Sequence, residues 1–255
     1  LVRYTEPTAY DRETAPALRA QAAAILAGGP APEAGAPEAG VRLIDATAEA
    51  DAAVCAALLH SASQLPLAAC REAARRMTAA EQGGLIRTAL RRMQPYDAAP
   101  REFEHAGLTF EVTISATCFA QLKRHRMATI TVQDYDPSLG VTVPPAVAEV
   151  GGEAALREVC GRSEETWERI RRAAPAAAAY VLTNAHRRRV NLTLNARELY
   201  HFARVRADRH AQWDIRQTAE RMVAAGRAAM PLTLMMAGGK DGFDALAAQM
   251  FVGGR

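Results

Sequence analysis

Three stretches gather side chains able to do chemistry. The first is QLKRHRM at Gln121 to Met127, where Arg124, His125 and Arg126 are consecutive. Two guanidinium forks with an imidazole between them can hold a large anion from several sides and stack on a planar, electron-rich ring. A phosphate-bearing or conjugated ligand suits such a fan, although cations at the end of a helix also complement its dipole with no ligand at all. The second stretch is EFEHAGLTF, with Glu104 and His105 just ahead of an alternating segment. A carboxylate beside an imidazole can orient it or help hold a polar ligand, and the pair reads equally well as solvated charges in a connection. In the third, NARELYHFARVR, Arg197 and His201 are four residues apart and share a helix face. Arg206, nine residues beyond Arg197, falls about 180° round an ideal helix, so the two arginines need a bend or serve different pockets.

The elements that must position these groups follow from hydrophobic period. VRLID (Val41 to Asp45) reads as a short strand, and GLTFEVTIS (Gly107 to Ser115) and RRVNLTLN (Arg188 to Asn195) alternate as half-buried strands. Helices are expected at 13–26, 48–61, 65–77, 85–93, from Ala116 onward, 153–172, 176–183, 195–206 and 210–225. Asn195 is placed to cap the helix carrying Arg197 and His201. TITV at Thr129 to Val132 is β-branched and is followed by an acidic Asp-Pro turn. The repeat APEAG within 28–40 is a Pro/Gly/Ala linker with too little apolar surface to offset its ordering entropy. Three parts result: an arm at 1–27, which is a helix or the tail of something upstream, the linker at 28–40, and a domain at 41–255. The domain is expected to be α+β, with mixed helices around a modest, mainly antiparallel sheet.

At 255 residues with 49% hydrophobic composition the chain can bury a core without disulfides or structural metal. Aromatics are only 5%, so small side chains should bring the helices close. A net charge of +3 is well short of a dedicated nucleic-acid binder. Cys55, Cys70, Cys118 and Cys160 form no CxxC pair and have no zinc-type spacing, so no metal is expected and a reduced, cytoplasmic setting is. No apolar run reaches the roughly 20 residues needed to span a bilayer.

Taken in order, FEH before a strand, Q..RHR twenty residues after that histidine, and NAR....F...R followed by QW.IR resemble the flavin-dependent thymidylate synthase family, from about Val41 to Pro231. The resemblance implies an α+β homotetramer that binds FAD at subunit boundaries. It also implies transfer of a methylene carbon from methylenetetrahydrofolate to C5 of dUMP, with NADPH as reductant. By motif, the flavin contacts fall on Glu104, Arg124, His125, Arg126, Asn195, Arg197 and His201. Gln121 and Arg206 match positions that face the pyrimidine, where the arginine is the catalytic candidate because it can stabilise negative charge developing on the ring.

The chain departs from the family pattern on the phosphate side. Thr129, Thr131, Asp134, Asp136 and Pro137 stand where the pattern has Ser, Asn, Ser, Arg and Tyr; Ala179 replaces an arginine, and Ala99 and Arg101 replace a His and a Ser/Thr. These changes leave three readings open. One is a flavoenzyme acting on a uracil nucleotide or a related pyrimidine. Another is a degenerate flavin-binding half of a tandem protein. The third is a module for anionic partners or nucleic acid built on Arg187 to Arg189 and the RHR cluster, for which stacking aromatics are scarce.

Overall fold

The computed structural model describes residues 8–29 and 40–251. Most of the APEAG linker lies outside the described residues. The chain divides into two compact units, 1–35 and 36–255. In the first, α1 runs from Ala9 to Leu26, beginning ahead of the expected residue 13.

The second unit opens with β1 (Gly40–Ala46), α2 (Ala50–Ser61), α3 (Leu67–Arg76) and α4 (Ala79–Leu90). A 3-10 helix at Arg101–His105 leads into β2 (Gly107–Ser115), α5 (Ala116–Leu122) and β3 (Thr129–Val132). After α6 (Pro145–Glu149), α7 (Glu153–Ala173) and α8 (Pro175–Ala178) come β4 (Arg187–Asn195), α9 (Ala196–Arg206), α10 (Trp213–Ala229) and α11 (Phe243–Met250). The helix expected at 176–183 is corrected. Pro175 starts a single turn, Ala179–Val181 tightens to 3-10, and Leu182 is extended. The helix expected from Leu85 starts earlier, because Thr78 and Glu81 form a reciprocal capping box that satisfies the first turn.

The four strands form one sheet in the order β1-β2-β4-β3, every pairing antiparallel. Leu108, Phe110, Val112 and Ile114 of β2 and Val190, Leu192 and Leu194 of β4 bury one face, as the period of two requires. Against that core α10 packs on β1 and β2, and α9 on β4. Close approach needs small residues at two points. A Cβ on Gly226 of α10 would meet Leu234 Cδ1 at 2.8 Å, and one on Gly239 would sit 2.2 Å from the Ala207 carbonyl oxygen.

The site follows from the register. Gly107 pairs with Asn195 and Ser115 with Arg187, so α5 and α9 leave the central strand pair from opposite ends. Eleven residues of α9, about 16 Å of helix, then carry Arg206 back to the end where α5 stops.

Candidate functional site

Ser115 caps α5, its hydroxyl accepting from the Cys118 N–H at 3.0 Å while donating to the buried Asp214 carboxylate. The cap and the carboxylate fix where α5 starts, and seven residues later the helix ends at Leu122. The RHR stretch therefore follows a helix terminus, where its cations complement the dipole. Arg124 and Arg126 are exposed there, and His125 turns inward with 6% of its surface exposed.

His125 is the centre of a polar chain that spans α5 and α9. Its Nδ1 lies 3.3 Å from Glu198 Oε1, and its Nε2 accepts from Arg206 Nε at 3.0 Å. Arg206 also donates through Nη1 to Gln121 Oε1 at 3.0 Å and through Nη2 to the Gln121 carbonyl at 3.4 Å. The ring packs edge-on against Phe202 at 4.7 Å and lies 5.8 Å from the His201 ring. Burial, the Arg206 and Arg204 charges and His125 hold the His201 pKa below its ordinary value, partly offset by Glu198. Burial lowers the Arg206 pKa too, with Arg124 adding like-charge repulsion.

At the other end of α9, Asn195 Oδ1 accepts from the Glu198 N–H at 2.8 Å, so its side chain serves as the helix cap. Arg197 donates from Nε to the Ala99 carbonyl at 2.7 Å and from Nη1 to Glu104 Oε1 at 3.0 Å. Glu104 also meets Arg101 at 3.3 Å. The structure thus resolves the helical-phase problem of the two arginines: α9 is continuous, and Arg197 and Arg206 serve separate clusters. Glu104 and His105 part company, because Glu104 joins Arg197 whereas His105 lines a cavity of about 170 Å³ with Arg71, Arg75 and Glu49.

The segment that departs from the family pattern is held by different contacts. Asp136 Oδ1 accepts from the Ser138 N–H at 2.9 Å, capping a 3-10 turn at Pro137–Leu139. Arg188 lies over Tyr135 at 4.0 Å and over Phe119 at 4.9 Å, and donates to the Gln133 carbonyl at 2.8 Å. Arg188 is thereby committed to packing, as is His186, which is 1% exposed and bonded to Thr183 and Glu164. That commitment weakens the nucleic-acid reading of this basic run.

Two groups were missed from sequence. Glu198 carries the signal of a cap, an acid three residues after Asn195, but nothing in its spacing reveals His125, 73 positions away. Arg188 was hidden inside a run of like charges. Ligating atoms of His125, Glu198 and His201 lie within 4.8 Å of one another, close enough for a transition metal. Arg206 occupies the imidazole's free lone pair and Arg124 adds to the positive field, so the surroundings oppose a dication and favour an anion.

The side chains present fit a flavin dinucleotide. The guanidinium groups of Arg124 and Arg126 have no hydrogen-bond partner among the described residues, and the exposed His201 ring sits beside the buried His125. Such a set offers donors and cations to a pyrophosphate and to an electron-rich ring.

Comparison with known proteins identifies the family. Residues 42–232 match the family model described as Thymidylate synthase complementing protein. A flavin-dependent thymidylate synthase of Halobacterium salinarum is 32% identical over 165 residues, covering 51% of this chain and 67% of the relative. One from Geobacter sulfurreducens is 34% identical over 145 residues, covering 53% and 62%. A third, from Sulfolobus acidocaldarius, is matched over 49% of its length, so the chain spans between about half and two thirds of these relatives. In fold it is similar to the UMP/dUMP methylase PolB from Streptomyces cacaoi bound with 5-Br dUMP, with TM-score 0.65 and 24% identity over 80% of this chain and 96% of that one. With three quarters of its length matched by the family model, the chain belongs to the flavin-dependent thymidylate synthase family, the thymidylate synthase complementing proteins.

Proposed function

We propose that this protein binds FAD and catalyses a thymidylate synthase-type methylation at C5 of a uracil-like pyrimidine. The observation that carries the reading is the Gln121–Arg206–His125–Glu198 chain, with the Arg124 and Arg126 guanidiniums, unpaired among the described residues, beside it. In the overall reaction methylenetetrahydrofolate supplies the one-carbon group and NADPH supplies a hydride. A C5–CH3 bond replaces the C5–H bond, whose hydrogen leaves as a proton. The two folate nitrogens that release the carbon each take up a proton, so tetrahydrofolate and NADP+ leave with one proton consumed net. FAD, when bound, supplies the two-electron relay between NADPH and the transferred carbon. Arg124, Arg126 and His201 would hold the dinucleotide, Arg197 with Glu104 and Asn195 would frame its other side, and a homotetramer or a tandem copy would complete the pocket. Arg206 faces the pyrimidine as a fixed cation that stabilises negative charge on the ring, and Gln121 pairs with its amide edge.

The substrate is proposed to lack the usual 5′-monophosphate. Asp134 and Asp136 are exposed carboxylates on the segment where the family pattern has Ser and Arg. A carboxylate about 4 Å from a phosphate charge repels it by roughly 1 kcal/mol in water and about 4 kcal/mol at an effective dielectric of 20. Flavin binding without turnover is the second reading, favoured by the same two residues. Protein purified with added FAD should carry flavin absorbance; a colourless product ends both readings. With FAD, methylenetetrahydrofolate and NADPH supplied, tritium release from C5-labelled deoxyuridine exceeding that from C5-labelled dUMP is the expected result. Background release from both leaves only the binding role.

A further inference from the structure

Polarity is fixed along the whole Glu198–His125–Arg206–Gln121 chain. An arginine donates hydrogen bonds and accepts none. Since Arg206 Nε is 3.0 Å from His125 Nε2, that nitrogen carries the lone pair, and the proton of the neutral ring is on Nδ1. Nδ1–H then donates to Glu198 Oε1 at 3.3 Å. Glu198 is 8% exposed, and His125 is its one side-chain hydrogen-bond partner among the described residues. Its own N–H is held by the Asn195 cap, in the first turn of α9, where the helix dipole favours a negative charge. The same rule continues outward. Arg206 Nη1 donates at 3.0 Å to the side-chain oxygen of Gln121, so the amide nitrogen of Gln121 is the end turned away from the arginine. That NH2 group is bonded to no described residue.

We propose that Glu198 is a positioning residue: through His125 and Arg206 it fixes the Gln121 amide with its NH2 outward, so that the site reads a carbonyl edge of a pyrimidine and rejects an amino edge. The specificity part rests on the pyrimidine reading above, whereas the tautomer part does not. Without the Glu198 carboxylate the imidazole is free to take the Nε2–H form. That form sets two donors against each other at Arg206, releases the guanidinium and lets the Gln121 amide turn over. A uracil-like ring offers a carbonyl at the position where a cytosine-like ring offers an amine, and an inverted amide no longer tells them apart.

The test begins with the unaltered chain. Side-chain 15N NMR of His125 in the flavin-free protein should show the Nδ1–H tautomer, and an Nε2–H ring there overturns the proposal with no variant needed. E198L should shift His125 toward Nε2–H; E198Q, which keeps an oxygen acceptor, should not. Equilibrium titration of the FAD-loaded protein with deoxyuridine and deoxycytidine then reads the specificity. A preference for deoxyuridine that falls about tenfold in E198L and is retained in E198Q supports the relay, a change the size of one misdirected hydrogen bond. An unchanged tautomer or an unchanged preference in folded E198L overturns it. A correct tautomer in a protein that binds neither nucleoside overturns the pyrimidine reading and the specificity assignment with it. A wrong tautomer in a protein that binds deoxyuridine overturns the relay alone.

Discussion

Replacing Arg206 by lysine keeps the charge and removes the fork. Arg206 uses two separate edges: Nε on the 6%-exposed His125 and Nη1 on Gln121, each at 3.0 Å, with a weaker contact at 3.4 Å. An ammonium is a single point and can satisfy one of these acceptors. Hydrogen bonds to charged groups contribute about 1.5 to 3 kcal/mol, and a buried acceptor left alone costs about 1 to 3 kcal/mol. Arg206 is half-buried, so the lower part of each range applies, and R206K should lose about 2 to 3 kcal/mol. For a chain of this size that is roughly 4 to 12 °C in Tm. Urea unfolding and calorimetry at fixed pH measure it, and a cycle with Q121L isolates the pair: if the fork is real, R206K should cost less in the Q121L background than in the wild type. R206K within about 0.5 kcal/mol of the wild type, the usual range for an unremarkable surface change, would falsify the bonded fork and remove the scaffold on which the pyrimidine reading stands.

Gly239 has an ordinary φ of −64°, but a Cβ there meets the Ala207 carbonyl oxygen at 2.2 Å. Because the obstacle is backbone, G239A should destabilise the protein by about 1 to 3 kcal/mol and lower pyrimidine binding by displacing the end of α9; chemical denaturation and titration of the same sample check both. All four cysteines are free and buried, with burial and Asp51 raising the Cys55 thiol to about 11 and burial and Asp214 raising Cys118. A thiol reagent at mildly alkaline pH should therefore label none of them in the native protein and all four in denaturant; rapid native labelling would contradict the packing of α2 and α5. The His201 ring resists protonation in the folded state, so the unfolded chain takes up more protons and stability should fall as pH drops below about 6.5. H201N should flatten that fall in a pH series of unfolding midpoints. The amplitude should be small because the side chain is exposed.

Strands and one helix cap were the legible part of the sequence. Alternation placed β2 and β4 at or within one residue of their observed bounds, since one buried face forces a period of two. Asn195 marked the start of α9 because a cap is a local event, a side-chain oxygen three residues from the N–H it satisfies. What escaped depends on tertiary pairing: Glu198 with His125, the Ser115 hydroxyl with Asp214, and Arg188 between two rings are separated by 73, 99 and at least 53 residues, the last counted from Tyr135 to Arg188. No local pattern encodes such partners. The 3-10 helix at Arg101–His105 escaped for the opposite reason, being too short to show a period.

The two ends of α9 differ in the charge they leave over, and this difference assigns their roles. Near its N-terminus Arg197 is paired with Glu104 and tied to the Ala99 carbonyl; Arg101 shares the same carboxylate, so that cluster has half of its guanidinium charge cancelled in contact. Near its C-terminus Arg206 spends its donors on neutral acceptors, an imidazole and an amide. Among the described residues no contacting carboxylate cancels the positive charge there, and Arg124 adds like charge beside a guanidinium whose pKa burial already lowers. Glu198 is one imidazole away, bonded to His125. A diffusing anion is therefore drawn to the α5–α9 junction and only oriented at the far cluster, roughly 16 Å along the helix. Shifting the balance by making E104Q, which removes the carboxylate from Arg197, should strengthen anion binding at the N-terminal end without changing specificity at the other. Sulfate competition against FAD, compared between E104Q and wild type, measures that shift.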